Sequence, residues 1–268
     1  MVRATVDTLG VMFAQVTSTA TGVAKRSLQR MIGAIVSTAG NVHYGRWYYS
    51  NRWHPHHALL ERALDETADY ITTNMSSAMV KRDDIGVLDD ALAHSPSGGL
   101  HFEFGVRSGR SINHIARRVP NETVHGFDSF EGLPEPWTGW TIGAGGFGGE
   151  GIPKVEPNVQ LHVGWFDDTL VPFLAEHPGD VSFVHVDSDI YSSARTILWG
   201  LADRLRPGSI IVFNEYFNYP NWKQHEFRAF QEFCEEYQVT YDYLCWGMYE
   251  VAVRIDSIGA VAPAEADS

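Results

Sequence analysis

The feature that most limits how this chain can fold is the alternation that begins at Leu100. Short apolar runs (LHFEF, TVHGF, VQLHV, VSFVHV and SIIVF) recur through Phe213, and stretches with helical spacing lie at 109–119, 169–176, 191–205 and 222–237. A strand that returns to its sheet through a helix runs parallel to its predecessor, so repeated units of this kind build a mostly parallel sheet covered by helices. Two more strand-like runs, near 239–244 and 248–255, follow with no helix between them and therefore pair as a C-terminal antiparallel hairpin. The fold class is α/β, Rossmann-like, with an ending that a plain dinucleotide-binding sheet lacks.

Upstream of this pattern, residues 1–97 read as an N-terminal helical extension or cap. Leu9, Phe13 and Val16 share a helical face within residues 1–40, followed by the basic Lys25, Arg26 and Arg30. Such a helix docks or forms a homo-oligomer contact, with a membrane-surface helix as the alternative. Residues 41–57 are dense in aromatics and histidine, including Trp47, Tyr48 and Trp53, and suit a packed cap or an acceptor-pocket wall. A helix is expected from His57 to Met75, and SPSGG breaks the chain before the core domain at 98–256. Residues 257–268, ending APAEADS, read as a disordered tail.

Composition narrows the partners. A length of 268 residues with 44% hydrophobic content supports one sizeable core. The net charge of −13 repels phosphate backbones, which argues against nucleic acid. Two cysteines, Cys234 and Cys245, make neither a disulfide framework nor a four-ligand zinc site. With no signal-peptide pattern and no apolar run of spanning length, a cytoplasmic location is expected.

The polar residues cluster at the carboxyl ends of the expected strands, the edge where open α/β sheets bind ligands. In HFEFGVRSGRSINHI, Gly105 and Gly109 bracket a turn into a helix near Ser111, a geometry that lets backbone N–H groups approach a ligand. Only a G-x-x-x-G pair is present, so the dinucleotide fingerprint is incomplete and a nicotinamide-dependent oxidoreductase is the weaker alternative. Asp128, followed by Ser129, ends the next strand, where a carboxylate can accept both hydroxyl hydrogens of a ribose. The glycine- and proline-rich run 131–151 is too long for an idle connection and reads as a lid. FVHVDSDIYSS delivers Asp187 and Asp189, and SIIVFNEYFNYP delivers Asn214 and Glu215. Oxygen ligands converging from adjacent strands can hold Mg²⁺.

Taken together, EFGVRSGRS, GFDSFEGLPEP, GWFDDTL, VDSDIYSS and FNEY resemble the class I S-adenosylmethionine-dependent methyltransferases, and more narrowly the macrocin O-methyltransferase family, over roughly residues 100–235. The resemblance implies a seven-stranded sheet and methyl transfer to an oxygen of a small polar acceptor, most plausibly a sugar of a glycoside in natural product biosynthesis. It implies that Glu103, Gly105, Gly109 and Ser111 hold the methionine part of the donor, while Trp165 and Phe166 lie beside its adenine. The family's cation motif maps onto Asp187, Asn214 and Glu215. The neutral Asn214 stands where that motif has an acid, which weakens the expected Mg²⁺ site and leaves a catalytically silent donor-binding protein as a second alternative. Asp189 and His225 are the candidate bases beside Asp187.

Overall fold

A computed structural model describes residues 54–259. The chain divides into two compact units, 1–58 and 59–268, and the sheet and cavity lie in the second. The expected helix within 1–40, the aromatic positions Trp47, Tyr48 and Trp53, and the tail from 260 onward fall outside the described residues.

Helix α1 (Pro55–Asn74) leads to strand β1 (Met79–Val80) and helix α2 (Asp84–His94). The alternating part follows as β2 (Leu100–Phe104), α3 (Arg110–Arg118), β3 (Val124–Asp128), β4 (Val159–Val163), α4 (Phe166–Glu176), β5 (Val181–Val186), α5 (Tyr191–Leu201) and β6 (Ile210–Phe213). Helix α6 (Glu226–Glu236) and strands β7 (Thr240–Trp246) and β8 (Val251–Ser257) complete it. The strand order is β1-β7-β8-β6-β5-β2-β3-β4. All pairings are parallel except β6–β8 and β7–β8.

Seven of these strands are the ones expected. The eighth, β1, pairs only Met79 and Val80 with Cys245 and Trp246, and a two-residue run carries no periodicity to read. Strands β7 and β8 do form the terminal antiparallel pair, but β8 lies inside the sheet between β6 and β7. The helix expected across 222–237 is divided: a short 3-10 turn at Trp222–Gln224 precedes α6, and His225 between them has φ −116° and ψ −128°.

Both faces of the sheet are covered. Phe102, Phe104, Phe127, Leu198 and Phe230 belong to one buried cluster, whereas Val87, Ile112, Ile115, Phe183 and Val212 belong to another. All six residues of β5 are buried, as a central parallel strand requires. Burial of each such large apolar side chain contributes about 1.5–3 kcal/mol before entropy is counted. Among the described residues, no helix is long and apolar enough to cross a membrane.

The run 131–151 has its own fold. Leu133 N–H donates to the Gly146 carbonyl at 3.0 Å, Gly145 N–H to Leu133 at 2.8 Å, and Trp137 N–H to Ile142 at 3.0 Å. Gly139, at φ 99°, lies so close to Pro220 that a Cβ there would be 1.8 Å from the Pro220 carbonyl oxygen. The expected lid is thus an internally hydrogen-bonded flap fitted against the loop after β6.

Candidate active site

Strand order turns at β2: the chain moves outward through β3 and β4 on one side, and through β5 and β6 on the other. Ligands bind at such a switch point because the loops diverge there and leave a crevice. A cavity of about 650 Å³ opens at this place, lined by the ends of β2, β3, β5 and β6, the start of α4 and the flap.

The first wall is built by the turn after β2. Gly105 has φ 96°, and a Cβ on it would lie 1.7 Å from the Asp187 carbonyl oxygen, so only glycine lets the two strand ends approach. Arg107, also left-handed at φ 45°, donates its backbone N–H to Asp128 Oδ2 at 2.7 Å. The other oxygen, Asp128 Oδ1, accepts from Phe130 N–H at 2.7 Å. Each oxygen keeps a further lone pair, and the carboxylate is fixed in the cavity wall. The Arg107 guanidinium reaches the flap, pairing with Glu150 at 2.9 Å and lying 4.6 Å above the centre of the Phe147 ring.

The opposite wall carries converging acids. Carboxylate oxygens of Asp187, Asp189 and Glu215 all lie within 4.8 Å of one another. Burial, followed by the charges of its neighbours, pushes Asp187 up to about 8 despite the opposing influence of His185. Burial and the Glu226 carboxylate push Asp189 up to about 7, and burial with Asp189 and Asp187 raises Glu215 well above the carboxylate range. Glu215 Oε2 is buried without a hydrogen-bond partner among the described residues. A hard, oxygen-seeking divalent cation fits this donor set, because it would neutralise like charges and complete the unpartnered oxygen. Asp189 holds φ 65°, a left-handed conformation that costs a non-glycine residue about 1 kcal/mol and brings its carboxylate into the group.

A family model described as a methyltransferase domain matches residues 102–216, which span β2 through the loop after β6. The chain has the fold of the class I methyltransferases. It is similar in structure to CalS11, described as calicheamicin methyltransferase, with 21% identity and a TM-score of 0.53 over 74% of this chain and 91% of that one. It is also similar to the O-methyltransferase NovP, with 19% identity and a TM-score of 0.47 over 63% and 76% of the two chains. Likeness at such identity concerns the fold. No curated protein sequence matches the chain.

The fold brings Gly105, Asp128, Ser129, Trp165, Phe166, Asp187, Asp189, Asn214 and Glu215 to one cavity. Other residues singled out from sequence lie behind it. Glu103 is fully buried, where it accepts from Ser111 Oγ at 3.1 Å and pairs with His185 Nδ1 at 2.9 Å. Gly109 caps α3 at φ 78° without lining the cavity. Asn214 Nδ2 donates to Glu215 Oε1 at 2.6 Å, so it supports Glu215 while Asp189 completes the carboxylate group. His225 does not line the cavity either: its Nε2 meets the Thr138 carbonyl at 2.8 Å and hydroxyl at 3.1 Å, which holds the flap.

Sequence reasoning passed over two residues. Arg107 shows no local sign of a left-handed backbone, although its place midway between Gly105 and Gly109 is a position where such a turn would be sought. Glu226, fully buried, accepts the N–H groups of Ser188, Asp189 and Glu215, each at 3.1 Å. Next to His225 in sequence, it resembles any acid in the first turn of a helix.

Proposed function

We propose that the chain is a methyltransferase that uses S-adenosylmethionine to methylate a hydroxyl of a small polar acceptor, a sugar hydroxyl of a glycoside being the leading class, with a divalent cation such as Mg²⁺ held by Asp187, Asp189 and Glu215. The observation that carries this reading is the facing of two unlike walls across one cavity: the fixed Asp128 carboxylate on one side and the three converging acids on the other. Asp128 accepts the ribose hydroxyls of the donor, Trp165 and Phe166 flank its adenine, and Gly105 admits its methionine part to the backbone. Trp137, buried in the flap beside Tyr219 and exposed to the cavity, gives an acceptor ring an apolar face. The description of CalS11 as a calicheamicin methyltransferase agrees with a small-molecule acceptor.

Methyl transfer from a sulfonium is an in-line displacement: the acceptor oxygen bonds to the methyl carbon, the carbon–sulfur bond breaks, and its electron pair stays on sulfur. The protein's task is to align the two atoms and receive the hydroxyl proton. When bound, a divalent cation supplies Lewis acidity that makes the acceptor hydroxyl easier to deprotonate. Asp189, whose carboxylate lines the cavity beside Asp187 and Glu215, is the group placed to accept that proton. His225, turned to Thr138, serves the flap instead.

Calorimetric titration with S-adenosylhomocysteine, with Mg²⁺ and then with EDTA, tests the donor wall. Micromolar binding is expected, and Asp128→Ala should weaken it roughly a hundredfold through lost charge-assisted hydrogen bonds. Folded wild-type protein that fails to bind would overturn the reading.

A further inference from the structure

Three backbone N–H groups converge on one carboxylate beneath the acid wall. Glu226 Oε1 accepts from Ser188 and Asp189, and Oε2 accepts from Glu215, each at 3.1 Å. These donors belong to two loops. The pairing of β5 with β6 ends at Val186 and Phe213, followed by one last bond from Asn214 N–H to the Val186 carbonyl at 2.9 Å. Past that point the two backbones separate, and the Glu226 side chain bridges them.

We propose that Glu226 is the positioning residue of the acid wall: its buried carboxylate ties the loops after β5 and β6 together and so sets the spacing of Asp187, Asp189 and Glu215. A carboxylate suits this position because it accepts on both oxygens and donates on neither. One of its donors is Asp189 itself, whose left-handed backbone turns its side chain toward the other two acids. The preceding residue, His225, holds Thr138 of the flap, so a single helix start places both the acids and their cover. Glu226 does not line the cavity. The inference rests on the cation reading above only for its metal readout.

The discriminating variant is Glu226→Gln, which keeps size and shape but turns an amide N–H₂ toward one of the two loops, where it meets another donor. In the full-length chain, amide hydrogen exchange within 187–190 and 214–216 should quicken about tenfold or more, while exchange at 105–109 and 128–130 stays as in wild type. Affinity for S-adenosylhomocysteine should change by less than about twofold, and affinity for Mg²⁺ alone should fall about tenfold or more. Unchanged exchange in both acid-bearing segments of a folded Glu226→Gln protein would overturn the proposal. Faster exchange throughout the sheet, donor loop included, would also overturn it, since Glu226 would then support the whole fold. If wild type binds no Mg²⁺ yet the two segments alone exchange faster in the variant, the cation reading falls and the positioning role stands.

Discussion

Two acidic sites adjoin β5, one where Glu103 of β2 meets His185 within the strand and one just past the strand's end, and their surroundings are opposite. Glu103 faces His185 across the β2–β5 pairing, with Ser111 on its second oxygen, so a charge removed from water meets its counter-charge within the chain. Burial alone would lower His185, but the Glu103 carboxylate outweighs it and holds the imidazole at about 9. Asp187, Asp189 and Glu215 face one another instead, with Glu215 Oε2 left unpartnered among the described residues. A buried charge with its partner in place belongs to the folded chain, whereas a group of like charges at a cavity marks a place for something to bind.

The hardest test of that contrast is to remove Glu103. Glu103→Ala leaves His185 buried without its partner, where burial turns the ring neutral, and urea unfolding should show a loss of about 2–3 kcal/mol from the unpaired ring and the vacated space. A loss under about 1 kcal/mol would mean that the pair carries no charge worth compensating.

The second set should answer in the opposite direction. In EDTA, Glu215→Gln removes one of three crowded acids and should stabilise the protein by about 1 kcal/mol, while abolishing any stabilisation by Mg²⁺. A variant that unfolds more easily in EDTA would show that Glu215 is already satisfied within the chain.

A smaller effect separates the sets by pH. With Asp187 at about 8 and Asp189 at about 7, the metal-free fold holds protons that the unfolded chain releases from about pH 4 upward. Their contribution therefore declines as pH rises through that range toward 8. His185, raised from 6.5 to about 9, contributes below the lower value and loses its contribution as pH rises through the higher one. A cation replaces protons on the acids and leaves His185 alone, so the rise in Tm caused by saturating Mg²⁺ should be larger at pH 8 than at pH 6. Equal rises at both would place the cation elsewhere.

Much of this was legible in the sequence, for a physical reason. Strand ends in parallel α/β folds are announced by apolar runs that stop at a polar residue, which is how Asp128, Asp187 and Glu215 stand out. What stayed hidden depends on distant partners. Nothing near Glu103 in sequence reveals that His185 will face it, so it reads as a ligand-binding acid. Glu226 has the local pattern of a solvated helix start, and only the folded chain brings Ser188 and Glu215 to it. The neutral Asn214 drew attention as a lost ligand because the left-handed turn that swings in Asp189 has no sequence mark.

The place of β8 has a consequence for how the molecule comes into being. Until residues 251–257 are synthesised, β7 has no antiparallel neighbour and β6 presents Ile210–Phe213 as a bare apolar edge. Such an edge invites pairing with other chains. A nascent chain thus holds every residue of both cavity walls before its sheet can close, and the interval before β8 emerges is when this protein is most open to misassembly or chaperone capture.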